Sequence, residues 1–140
     1  MRQVIVDTNM LLVPGQFKVD IFTELDKVMD ESYEIVILQA TLEELQKIAQ
    51  SGSGADSQAA KLANLLISHQ QKRDFSASSR SNCKALKIVS SSTSYVDDAI
   101  LEIAEDAFVA TNDSALKQRL LEKGVRVIYL KQQQYLAISA

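Results

Sequence analysis

Val4-Ile5-Val6-Asp7-Thr8-Asn9 decides how the rest of the chain reads. Three β-branched residues in a row, with no polar alternation, predict a short strand buried on both faces. Such a strand belongs in a parallel sheet sandwiched between helices. The acid falls at its carboxyl end, where open α/β sheets gather their functional groups. Thr8 and Asn9 can form a turn, but a turn there does not require the aspartate. Asp7 is therefore the first candidate functional residue.

Outward from this strand the same pattern recurs. Ile35-Val36-Ile37-Leu38, Leu86 to Val89, Phe108-Val109-Ala110 and Val125 to Leu130 are further short apolar runs. Helical patterns separate them. Pro14-Gly15 marks a loop, and Ile21, Leu25, Val28 and Met29 recur at helical spacing between Phe17 and about Glu31. Thr41 reads as the N-cap of a helix reaching about Gln50, with Glu44 three residues on completing a capping box. A helix from about Asp56 to Gln70 would bury Leu62, Leu65 and Leu66, and Lys72 to Lys84 reads as a loop. Two further helices are expected at Val96–Asp106 and Ser114–Lys123, the second stopped by Gly124. The expected fold is α/β and doubly wound: a parallel sheet of about five strands with helices on both faces, one domain over residues 1–140.

Composition excludes several classes. The chain of 140 residues is 46% hydrophobic and 24% charged, as in ordinary globular proteins. No apolar run approaches the ~20 residues that span a bilayer. The apolar stretch before Asp7 is too short for the core of a signal peptide, so a cytoplasmic protein with no membrane partner is expected. One cysteine, Cys83, and one histidine, His69, provide neither a disulfide nor a zinc cluster. Net charge is −3, unevenly spread. Residues 1–56 carry ten acids and four bases, whereas residues 57–96 carry six bases and a single acid, Asp74. An acidic region beside a basic one suits an enzyme that holds cations in one place and phosphates in another.

The remaining acids fall in comparable places. Asp113 follows Phe108-Val109-Ala110, Glu44 opens the helix after the second strand, and Asp97 and Asp98 open the helix near Val96. All project from one edge of the predicted sheet. Carboxylates gathered in one cleft repel unless cations neutralise them, and an all-oxygen donor set selects Mg²⁺ or Mn²⁺ over zinc. Blander readings stand beside this one. Acids in a first helical turn complement the helix dipole, which accounts for Glu43, Asp98 and Glu44. Asp113 before Ser114 reads equally as a helix cap. A receiver-type acidic pocket would need paired acids ending the first strand, where apolar residues stand instead.

V-I-V-D-T-N at positions 4–9 resembles the opening of PIN domains, where the first strand ends in a metal-binding aspartate. L-E-E-L-Q-K-I at 42–48 looks like the family's second motif, which singles out Glu44 over Glu43. V-D-D-A-I-L-E-I-A at 96–104 is similar to the third, selecting Asp97, and V-A-T-N-D-S-A-L at 109–116 matches the fourth, giving Asp113. Four motifs in order, spanning residue 4 to about 136, are far more specific than any one alone.

The resemblance implies metal-dependent hydrolysis of RNA. Asp7, Glu44, Asp97 and Asp113 would hold Mg²⁺ or Mn²⁺, supported by Thr8, Asn9, Asp98, Thr111 and Asn112. Lys72, Arg73, Arg80 and Lys84 of the basic segment would hold the RNA backbone outside the cleft. The segments L-L-V-P-G-Q-F-K-V-D-I-F and V-I-Y-L-K-Q-Q-Q-Y-L look most like archaeal relatives of the PIN nucleases that process small-subunit ribosomal RNA. That would make a ribosomal RNA precursor the substrate, with added RNA contacts coming from the domain itself, a second copy or a protein partner. The competing branches are the toxins of toxin–antitoxin pairs and a non-catalytic RNA-binding scaffold.

Overall fold

The structure is a computed structural model that describes residues 1–75, 81–91, 93 and 95–139. Its elements run β1 (Arg2–Val6), α1 (Thr8–Phe17), α2 (Ile21–Val28), β2 (Tyr33–Leu38), α3 (Gln39–Gln50), α4 (Ala55–Gln71), β3 (Cys83–Val89), α5 (Val96–Ile103), β4 (Phe108–Ala110), α6 (Ser114–Glu122), β5 (Arg126–Lys131) and β6 (Tyr135–Ile138). The sheet order is β3-β2-β1-β4-β5-β6. The first five strands are parallel, and β6 closes one edge antiparallel to β5.

Side chains alternate across each strand, so one run of apolar residues feeds two cores. Val4 and Val6 of β1, with Ile35 and Ile37 of β2, face the core beneath α1, α2 and α4. Ile5, Val36 and Leu38 face the opposite core beneath α5 and α6, with Ile100, Leu116 and Leu120. This is why the strands carry no polar alternation. The α/β expectation holds, with a sixth strand added.

The sixth strand escaped the reading because of its turn. Gln132 and Gln133 both take positive φ, near 56°, and the Gln134 N–H donates to the Lys131 carbonyl at 3.1 Å. That is the mirror-image turn suited to a hairpin, which normally announces itself as Asn-Gly. Here no glycine or asparagine marks it.

Four helical expectations also change. Pro14 and Gly15 lie inside α1, not in a loop. Gly15 is there because a Cβ would lie 2.6 Å from the Ala59 Cα of α4, so the two helices meet at backbone distance. For the same reason α4 buries its small residues Ala59, Ala60 and Ala63 together with Ile67, while Leu65 is 69% exposed. Helix α3 starts at Gln39 without a side-chain cap, which leaves Thr41 inside it with a buried, unpartnered hydroxyl. Helix α5 stops at Ile103, short of Asp106.

Candidate active site

Strand β1 lies between β2 and β4. The chain runs β1, β2, β3 in one direction and then returns to β4 on the other side, so the switch in strand order falls between β1 and β4. Side chains leaving those two carboxyl ends share one crevice. Asp7 leaves β1 there and Thr111 leaves β4.

Asp7 is 4% exposed and held by both oxygens. Oδ1 accepts the Thr8 N–H at 2.7 Å, and Oδ2 accepts the Thr111 hydroxyl at 2.8 Å. Its pKa is raised to about 6, chiefly by burial, with the two hydrogen bonds opposing and the charges of Asp97 and Glu44 adding smaller upward pushes. Asp97, in the first turn of α5, is also raised, first by burial and then by Asp113, with Arg119 opposing and Glu44 and Asp98 adding. Asp7 and Asp97 thus both feel Glu44 and Asp7 feels Asp97, while Asp113 acts on Asp97. Glu44, not its neighbour Glu43, raises both aspartates. Asp98 turns outward instead, 58% exposed, at 3.5 Å from Arg119.

Asp113 caps α6, as the blander reading had it: Oδ1 accepts the Leu116 N–H at 3.0 Å. One oxygen suffices for that, and among the described residues the other accepts no hydrogen bond. The supporting residues act differently from one another. Thr111 links Asp7 to the Asp113 N–H, which donates to the Thr111 hydroxyl at 3.1 Å. Asn9 accepts the Asn112 N–H at 3.0 Å and so ties α1 to the β4–α6 turn. Asn112 in turn accepts the Leu130 N–H at 2.8 Å from β5. The Thr8 hydroxyl is buried without a partner, so Thr8 supports Asp7 through its backbone only.

The donor set suits a hard divalent cation: carboxylate oxygens with no sulfur or imidazole among them. Among the described residues no three such groups stand close enough to form a finished cage. Mutual repulsion of like charges is the physical reason an acid cluster stays open until a cation draws it in.

The basic segment lies elsewhere. Cys83 pairs with Tyr33 at the amino end of β2, and Arg73 is near enough to influence the Cys83 thiol. Lys72 and Lys84 are the neighbours of these residues in the chain, so the described ends of the segment border the amino edge of the sheet. Six strand residues at about 3.3 Å each separate that edge from the acids by ~20 Å. Arg80 lies outside the described residues. The cations that border the acids are ones the sequence reading passed over: Lys47 beside Glu44, and Arg119 beside Asp97 and Asp98. Helical spacing was the available signal, since Lys47 stands three residues after Glu44. Cys83 is buried and its thiol is pushed up by burial, which agrees with an unreactive structural thiol.

Residues 4–133 match the family described as PIN like domain. The chain belongs to that family. Ribonuclease VapC4 of Methanocaldococcus jannaschii is 31% identical over 143 aligned residues, covering 99% of this chain and 97% of that protein. In structure, the PIN domain endonuclease Utp24 superposes with a TM-score of 0.69 at 22% identity, covering 98% of this chain and 90% of Utp24. A domain of a functionally unknown protein from Methanocaldococcus jannaschii superposes with a TM-score of 0.62 at 18% identity, covering 94% and 92%. At these identities the two structures speak for the PIN fold alone. Among the described residues, no helix of this PIN-like domain is long and apolar enough to cross a membrane.

Proposed function

We propose that this PIN-like domain is an endoribonuclease that hydrolyses RNA phosphodiesters with Mg²⁺ or Mn²⁺ at Asp7, Glu44, Asp97 and Asp113. The observation that supports the proposal is the buried Asp7 at the β1/β4 switch, held by Thr8 and Thr111 and feeling the charges of Asp97 and Glu44, with Asp97 in turn feeling Asp113. A scaffold domain gains nothing from gathering them, because their repulsion costs stability. The name of the 31% identical relative supports RNA as the substrate. When bound, a divalent cation would acidify a water and neutralise charge on the scissile phosphate. The chain's own part is positional. Thr8 and Thr111 hold Asp7 in one orientation, the α6 cap holds Asp113, and the Asn9–Asn112 tie keeps β1 and β4 in register at the crevice.

Within RNA, a ribosomal precursor is the substrate we favour, acting in the cytoplasm. The two segments that carry this branch resemblance share one core, Ile21 and Phe22 of the first lying in it with Ile128 and Leu136 of the second. The test is cleavage of precursor ribosomal RNA fragments beside unrelated RNAs, with Mn²⁺ or with EDTA. One defined cut in the precursor supports this branch, while comparable cutting of every RNA supports the toxin-type branch. Loss of all cleavage in Asp7→Asn, with binding retained, is expected. Full activity in that variant would refute the site.

A further inference from the structure

A pocket of about 290 Å³ opens beside the acids, between the end of α1, the start of α6 and the end of β5. Thr111 and Asn112 form its inner wall, and Thr111 is the residue that bonds Asp7. The pocket is therefore linked to Asp7 through Thr111. Its outer walls are aromatic. Phe17, the last residue of α1, is 38% exposed, although an aromatic ring is costly to leave in water. Tyr129 of β5 also lines it, one face of its ring covered by the Lys117 ammonium at 3.7 Å from the ring centre. Among the described residues no carboxylate pairs with Lys117. Asn112 accepts the Leu130 N–H through Oδ1, which leaves its amide nitrogen as a donor, and Ser114 adds a hydroxyl at the rim.

We infer that this pocket receives the base of an unpaired nucleotide next to the scissile phosphate; the inference rests on the nuclease reading above. A nucleobase is flat, neutral and edged with hydrogen-bonding groups. It matches a slot with the exposed Phe17 ring to stack on, a Tyr129 ring capped by a cation, and amide and hydroxyl donors at its edge. The same slot suits a phosphate poorly, because its walls are apolar and the neighbouring cleft is acidic. Lys117 at the pocket mouth is placed for the phosphate that joins this nucleotide to the next. A base held in a duplex cannot enter, so the pocket selects single-stranded RNA. Specificity for unpaired RNA thus comes from the α1–α6–β5 side of the site, at the opposite edge of the sheet from the basic segment.

The experiment uses fluorescence anisotropy in Mg²⁺, with Asp7→Asn as the non-cleaving background and a labelled single-stranded RNA. A single abasic nucleotide is moved through the RNA one position at a time. Base stacking is worth on the order of tenfold in affinity, so Phe17→Ala should weaken binding by about tenfold and Phe17→Trp should restore it. At one position the abasic RNA should bind about tenfold more weakly to the Phe17 protein and no more weakly still to Phe17→Ala. Lys117→Gln should weaken binding to intact and abasic RNA alike. In the cleaving protein, the loss in Phe17→Ala should appear in KM more than in kcat. Losses from Phe17→Ala and the abasic site that multiply at every position would overturn the pocket, as would equal losses on duplex RNA. Absence of cleavage by the wild-type chain would sink the nuclease reading alone, since the binding cycle still decides the pocket.

Discussion

Asp7 shows how one carboxylate serves the site at the expense of the fold. Its pKa stands at about 6 against an ordinary 3.8, so the folded state holds the proton more tightly than the unfolded chain does. The resulting penalty is absent below pH 3.8, grows between 3.8 and 6, and is complete above 6. Asp7→Asn removes it while keeping an oxygen for the Thr8 N–H. In metal-free buffer the variant should therefore melt higher than wild type above pH 6, by at most about 3 kcal/mol, and the two should converge near pH 4. A gap that widens toward acid pH would show the burial argument to be wrong. The adjacent acids should differ as well. Asp97→Asn should abolish cleavage, whereas Asp98→Asn, which loses an exposed pair with Arg119, should cost less than about 1 kcal/mol of stability and keep most activity. The reverse order in an RNA cleavage assay would mean that the other acid of the pair faces the cleft. At this scale the motifs single out Asp7, Glu44, Asp97 and Asp113 as the acids proposed for the site, but Lys47, Arg119, Phe17 and Lys117 were passed over. Their importance lies in which neighbours they meet, and spacing alone does not show that.

Elements were legible wherever local pattern and tertiary packing agree. Strand β4 falls at Phe108–Ala110 as expected, because three apolar residues between turns leave little choice. Helix α1 was missed because Pro14 and Gly15 oppose helix locally, and the backbone contact with Ala59 outweighs that preference. The β5–β6 hairpin was missed because glutamines hold the two positive-φ positions. Left-handed backbone costs a non-glycine residue about 1–2 kcal/mol. Replacing Gln132-Gln133 by Asn-Gly should therefore raise stability by on the order of 1 kcal/mol, read as a higher denaturant midpoint with unchanged slope. No gain would mean that β6 is held by its contact with α2 and not by its turn.

For the molecule as a whole, the chemistry follows from which side chains the sheet brings to one edge. His69, the lone histidine, is exposed on α4, in the last turn of that helix. The chain has a single histidine and so supplies no histidine pair, and the RNA's own 2′-hydroxyl is not expected to be the nucleophile. Cleavage should leave 5′-phosphate and 3′-hydroxyl ends, stop in EDTA, and persist in His69→Ala. Cyclic-phosphate ends formed in EDTA would refute the mechanism. The alternation of short apolar runs with amphipathic stretches was enough by itself to determine a doubly wound α/β fold, because burial on both faces leaves strands no room for polar residues. The order of the motifs likewise sufficed to propose the four acids. Only the tertiary structure decided that Lys72, Arg73 and Lys84 border the amino edge while Thr111 links an aromatic-lined pocket to Asp7. Residues 72–84 are close to Asp97 in the chain, but a parallel strand carries the backbone across the full width of the sheet between them. Which edge a loop occupies depends on strand direction and order, and neither is written in a run of charges.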